Sequence, residues 1–94
     1  MTTKFVLGKT VMTRGVADRM AQDAIFATFC YVCLKNHSQG DWGELSQDDT
    51  KANDCALVQG ERLLSAYYGA DGTKIWIITE WDRSATTILF PDEY

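Results

Sequence analysis

The sequence predicts an α+β fold: an antiparallel sheet of three to four strands with two helices packed on one face. Three observations carry this. Lys74–Tyr94 holds two apolar runs joined by the polar loop Trp81-Asp82-Arg83-Ser84, which reads as a strand pair. Asp71-Gly72, just upstream, is a hairpin signal that adds a preceding strand. Between residues 18 and 59 the apolar spacing is three and four, the helical period. The element order is β-α-α-β-β-β in a single domain, residues 1–94.

Phe5–Arg14 alternates without a clean apolar set, which suits an edge strand. Gly15 ends it, and Ala17 or Asp18 opens a helix, with Asp18 placed to cap it or meet the dipole. Asp18–His37 is the longest helix expected. Met20, Ala24, Ala27, Cys30 or Tyr31, and Leu34 form its stripe, widened by Ile25, Phe26, Phe29 and Cys33. Gly40 is a stop, and Asp41–Leu45 a linker anchored by Trp42. Ser46 caps a second helix that runs to about Gln59, with Asp48 and Asp49 in its first turn and Gly60 after its end. Its inner face is expected to be Ala52, Cys55, Ala56 and Gln59, joined by Leu57 and Val58. Leu63–Gly69, Lys74–Glu80 and Ala85–Phe90 then make a meander that Pro91 terminates. Ile75–Thr79 is apolar on both sides, so it belongs in the middle of the sheet. Two helices cover one face, and an uncovered second face motivates self-association as a hypothesis.

Composition narrows the function. The chain has 94 residues, 46% hydrophobic and 12% aromatic, enough for one core. No apolar run nears the ~18 residues of a spanning helix, and no secretion-signal pattern is visible, so a soluble, cytoplasmic protein away from membranes is expected. Net charge is −4 with pI near 4.7, and nine basic residues are thinly spread, which argues against direct nucleic-acid binding. The acids crowd at Asp41, Glu44, Asp48, Asp49 and Asp54, a solvated helix start or an acidic patch for a basic protein surface.

Chemistry-bearing residues are few. Cys30-Tyr-Val-Cys33 has CxxC spacing but lacks a second ligand pair, and it lies within a helix. Buried, reduced thiols explain it better than zinc, so neither metal nor cofactor is expected. His37, the only histidine, has no nucleophile-bearing motif to serve, although Asp41 is near in sequence. Gly8-Lys9-Thr10 lacks the upstream glycine of a phosphate-binding loop. Glu80, Asp82, Arg83, Ser84, Thr86 and Thr87 form the richest polar cluster, with Trp81 beside it. Glu80 and Asp82 can serve as a carboxylate pair for Mg²⁺ or acid–base work. The competing reading is a hairpin loop whose polar groups bond to their own backbone. Arg14 would join the cluster if the first strand borders the meander.

Several of these segments together resemble a known family. They are Thr13-Arg14-Gly15, His37-Ser-Gln-Gly40-Asp41-Trp42-Gly43, Ile75-Trp-Ile-Ile-Thr79-Glu80-x-Asp82-Arg83-Ser84-x-Thr86-Thr87, and the terminal Pro-x-Glu93-Tyr94. The family is one of short "plasmid-related" proteins carried by plasmids, phages and integrative elements, and the likeness spans the chain from about residue 7. The Cys30/Cys33 pair is a departure from it. The resemblance implies a mobile-element setting and no assigned activity. Small accessory proteins in such settings bind host proteins, including restriction and CRISPR effectors. The expectation is therefore a non-catalytic anti-defence inhibitor that occludes a host or defence-system protein. Its candidate interaction residues are Arg14, His37, Asp41, Trp42, Glu80, Trp81, Asp82, Arg83 and Ser84. The alternative is a small hydrolase or nucleotide- or ligand-binding protein with His37, Asp41, Glu80, Asp82 and Arg83 at one cleft.

Overall fold

Capping side chains decide where the helices begin, and they divide the first helical region in two. The computed structural model describes residues 3–94. Strand β1 is Lys9–Met12, followed by α1, Arg14–Gln22. The Thr13 hydroxyl accepts from the Val16 amide and so caps α1 four residues before the expected start. Asp23 leaves the helix with extended backbone, and its carboxylate accepts from the Ile25 and Phe26 amides at 3.1 Å. It thereby caps a new helix, α2, Ala24–Ser38. The single helix expected over Asp18–His37 is thus two, because an aspartate at an N-cap satisfies amides that a continuous helix would have paired. The remaining elements match their sequence signals. Ser46 caps α3, Gln47–Gln59, which ends at left-handed Gly60. Strands β2, Leu63–Tyr68, β3, Lys74–Thr79, and β4, Ala85–Leu89, follow, then a 3-10 turn at Pro91–Glu93.

The sheet order is β1-β4-β3-β2. β2, β3 and β4 form the antiparallel meander, with Ser65 opposite Ile77 and Ile77 opposite Ile88. β1 runs parallel to β4, with Lys9 opposite Ala85 and Met12 opposite Ile88, so the sheet is mixed rather than wholly antiparallel. Parallel pairing needs a long crossover, and the three helices and the meander supply it.

Alternation along β3 sends Ile75, Ile77 and Thr79 under the helices and Trp76 and Ile78 to the opposite face. Ile75 and Ile77 join Tyr67 and Ile88 in a core completed by Val16 of α1 and Phe26, Cys30 and Cys33 of α2. Each such fully buried aliphatic side chain contributes roughly 1.5–3 kcal/mol. On the far face Ile78, Leu89 and Ala66 are already buried within one chain. Tyr94 packs edge-on against Trp76 there, and the Arg62 guanidinium lies over the Tyr94 ring.

Helix α3 flanks the outer edge of β2. Asn53 accepts from the Leu64 amide at 3.1 Å and donates to the Leu64 carbonyl, as a neighbouring strand would. Next along the edge, Ala66 donates to the Trp42 carbonyl and accepts from the Glu44 amide. This closes an edge that would otherwise recruit other strands. It also corrects the inner face of α3, which is Asn53 and Ala56, while Ala52 and Cys55 are exposed. An asparagine paired to backbone outcompetes small apolar residues for that position.

Candidate recognition site

His37 lies at the end of α2, fully buried beneath the β3–β4 loop. Its ring sits between Phe5 and Trp42, with centroids 5.3 and 5.5 Å away in edge-on arrangements. Nδ1 is 2.5 Å from the Ser65 hydroxyl and Nε2 is 2.8 Å from that of Thr79. Thr79 is in turn 2.7 Å from Thr86, whose hydroxyl donates to the Leu7 carbonyl. A hydroxyl has one proton, so the direction of the chain follows from its end. Thr86 uses its proton on Leu7, so Thr79 donates to Thr86, and His37 Nε2–H donates to Thr79. Nδ1 is then left to accept from Ser65. Every member is satisfied with a neutral imidazole. Burial, and secondarily the Arg83 charge, push the His37 pKa down to about 4.

Arg83 is the hub of the loop. It adopts φ of 60°, a left-handed conformation uncommon for a residue other than glycine. Its guanidinium donates to the carbonyls of Glu61 at 2.6 Å, Glu80 at 3.1 Å and Ala56 at 3.4 Å. Two of these belong to the end of α3 and its exit, where the dipole favours a cation; the Ala56 carbonyl also accepts from the Gly60 and Glu61 amides. The same guanidinium lies 5.7 Å from the centre of the Phe5 ring. Three segments therefore meet at Arg83: residues 5–8, the end of α3, and the β3–β4 loop. Gly8 seals the junction with φ of +67°, and a Cβ there would lie 2.3 Å from the Arg83 carbonyl oxygen.

The other loop groups bond locally. Ser84 holds the Asp82 carboxyl below the usual range, first through its side chain and then through its amide, which donates to Asp82 at 3.0 Å. Glu80 pairs with Arg62 at 3.6 Å. Trp81 is 67% exposed and points away from all of this. Each of the three segments joined at Arg83 also presents a large exposed apolar residue: Val6, Val58 and Trp81.

The remaining candidates lie elsewhere. Asp41 is exposed, turned to accept from the Gly43 amide, while its carbonyl takes the Tyr67 hydroxyl. It does not reach His37. Trp42 is buried, stacked on Phe5, with its indole N–H on Asp54 at 2.9 Å. Among the described residues Arg14 pairs only with Asp18, at 3.9 Å, on open surface. Parallel pairing explains this, since it brings Lys9 to Ser84 and sends Arg14 to the other end of β4. His37, Asp41, Glu80, Asp82 and Arg83 therefore do not line a common cleft: the imidazole is enclosed and the guanidinium is occupied by carbonyls. Among the described residues no group of three or more His, Cys, Asp or Glu is arranged to hold a metal. Cys30 and Cys33 are free, buried thiols, with pKa values raised by burial to about 11 and about 12, and Cys55 is exposed. No helix among the described residues is long and apolar enough to cross a membrane.

Phe5, Gly8 and Asn53 escaped sequence reasoning, and Val58, expected on the apolar face of α3, is instead 82% exposed. Only Gly8, an isolated glycine in a strand pattern, carried a signal of close backbone approach. Comparison with known protein families, curated proteins and solved structures finds no match.

Proposed function

We propose that this chain is a non-catalytic protein-binding module that docks a basic protein surface through the region joined by Arg83. The observation that carries this reading is the state of Arg83 and His37. The groups best suited to chemistry are consumed in holding three segments together, and the exposed product is an aromatic anchor with apolar neighbours and acidic flanks. Trp81 is the anchor, of a residue type enriched at the energetic centres of interfaces. Glu80 and Asp82 flank it in the chain, and Glu61 is tied to the same loop through its carbonyl and Arg83. Residues 41–61 hold six carboxylates against Lys51 alone, while the rest of the chain has eight basic and seven acidic residues. The negative charge is thus regional, which favours steering toward a basic partner. In the mobile-element setting that the sequence resemblance implies, an inhibitor occluding a host defence protein fits this surface.

Capture from host lysate with wild type, Trp81→Ala and Tyr31→Ala tests it. The expected result is one host protein retained by wild type and Tyr31→Ala, lost with Trp81→Ala, and released by salt. Retention of no protein, or equal retention by Trp81→Ala, refutes it.

A further inference from the structure

Helix α2 is apolar on the side that faces away from the sheet. Phe26, Cys30, Cys33 and His37 point inward. Ala24, Ile25, Thr28, Tyr31 and Val32 are exposed, and Lys35 is the one charged residue among them. Ile25 is 83% exposed, Tyr31 61% and Val32 52%. The outer surfaces of the other helices are mostly polar, with Arg14, Asp18 and Gln22 on α1 and Asp48, Lys51 and Asp54 on α3, where Val58 is the one large apolar residue exposed. A helix apolar around its whole circumference belongs in an interior.

The ends of this face differ in charge. At its start, Asp23 and Asp71 both meet Arg19, at 3.8 and 2.7 Å, which leaves one negative charge in excess. These groups rim a cleft of about 390 Å³ floored by Ile25, Phe26 and Phe29. At its far end stand Lys35 and, beside Gly40, Lys4, with Asp41 beyond, which leaves one positive charge in excess.

We propose that α2 packs antiparallel against α2 of a second copy, with the two-fold axis near Thr28 and Phe29. Ile25 then meets the partner's Val32. The partner's Lys35 approaches Asp23 and Asp71, and the partner's Tyr31 enters the cleft over Phe26 and Phe29. Parallel pairing would set like charges together, whereas a two-fold axis perpendicular to the helices satisfies both ends at once. This occupant is independent of the surface around Trp81. One helix pair of ~22 Å buries less than the ~800 Å² per partner of a standard interface, so micromolar association is expected.

Sedimentation velocity from about 5 to about 500 μM on wild type, Val32→Glu and Tyr68→Glu tests this, with circular dichroism confirming the fold of each. Wild type and Tyr68→Glu, altered on the far sheet face, should dimerise with rising concentration. Val32→Glu should stay monomeric. Thr28→Cys in a Cys55→Ser background should form a disulfide-linked dimer on mild oxidation, and Cys55→Ser alone should not. A strict monomer at about 500 μM, a dimer indifferent to Val32→Glu but lost with Tyr68→Glu, or no cross-link through residue 28 would each overturn the proposal.

Discussion

Replacing His37 by Gln removes the only imidazole in the chain, and comparison with wild type across pH isolates what its titration does to stability. His37 titrates near 6.5 in the unfolded chain and at about 4 in the folded one, because burial first and the Arg83 charge second disfavour the imidazolium. Its folded pKa is depressed, so the unfolded state binds more protons between these values, and stability falls as pH falls. At ~1.4 kcal/mol per pH unit the loss is roughly 3 kcal/mol, complete by about pH 4. That is a large share of the ~5–15 kcal/mol typical of a domain. Protonation also puts a second N–H on Nδ1, so Ser65 must turn its hydroxyl to accept and find another acceptor for its proton. Ser65, Thr79, Phe5, Trp42 and Arg83 surround the ring, and none of them is an anion. The exposed carboxylates act lower: Asp71, held at about 2 by Thr73 and then Arg19, loses its contribution only below the ordinary carboxylate range. Urea titrations followed by tryptophan fluorescence at several pH values between about 7.5 and 4.5 make the measurement. Wild type should lose stability steadily across this window. His37→Gln, weaker at neutral pH by roughly 1–3 kcal/mol through imperfect replacement of the two hydrogen bonds, should be nearly flat. Equal slopes for the two proteins would refute the argument. So would nitrogen chemical shifts showing the proton on Nδ1 rather than Nε2 at neutral pH.

Three further outcomes follow from the same geometry. Asn53→Ala removes both bonds to the Leu64 backbone and leaves a sheet edge unpaired, so urea unfolding should show a loss of about 2–3 kcal/mol, with more aggregation at high concentration. Gly8→Ala should cost more than Gly60→Ala in thermal denaturation. Both positions have positive φ, but a Cβ at residue 8 overlaps the Arg83 carbonyl while residue 60 is open, so the latter should pay only the ~1 kcal/mol of left-handed backbone. A disulfide thiol reagent at neutral pH should modify Cys55 rapidly and Cys30 and Cys33 only on unfolding, and fast reaction of all three would contradict their burial.

Local signals were legible in the sequence because they act over a few residues. Ser46 caps the helix three residues ahead of the Asp49 amide, Gly60 closes it, Asp71-Gly72 turns the hairpin, and the apolar run Ile75–Ile78 lies mid-sheet. These determined the α+β class and the meander. The break at Asp23 was equally local, but the apolar stripe that runs through it masked the cap. Other features depended on residues far apart in the chain. His37 reaches Thr79 across 42 positions, Thr86 reaches Leu7 across 79, and Arg83 reaches Ala56 across 27. No sequence pattern encodes such pairings, because a polar side chain is equally at home in a catalytic cleft, a helix cap or a buried hydrogen-bond chain. Only packing chooses among them. The parallel docking of β1 drew Lys9 to the loop and carried Arg14 away, and burial of α2 enclosed His37. From the sequence alone the chain determined α3, the three strands of the meander and the crowding of acids between Asp41 and Asp54. The tertiary structure enclosed His37, tied Arg83 to backbone carbonyls, and left Trp81, Val58 and the outer face of α2 in solvent.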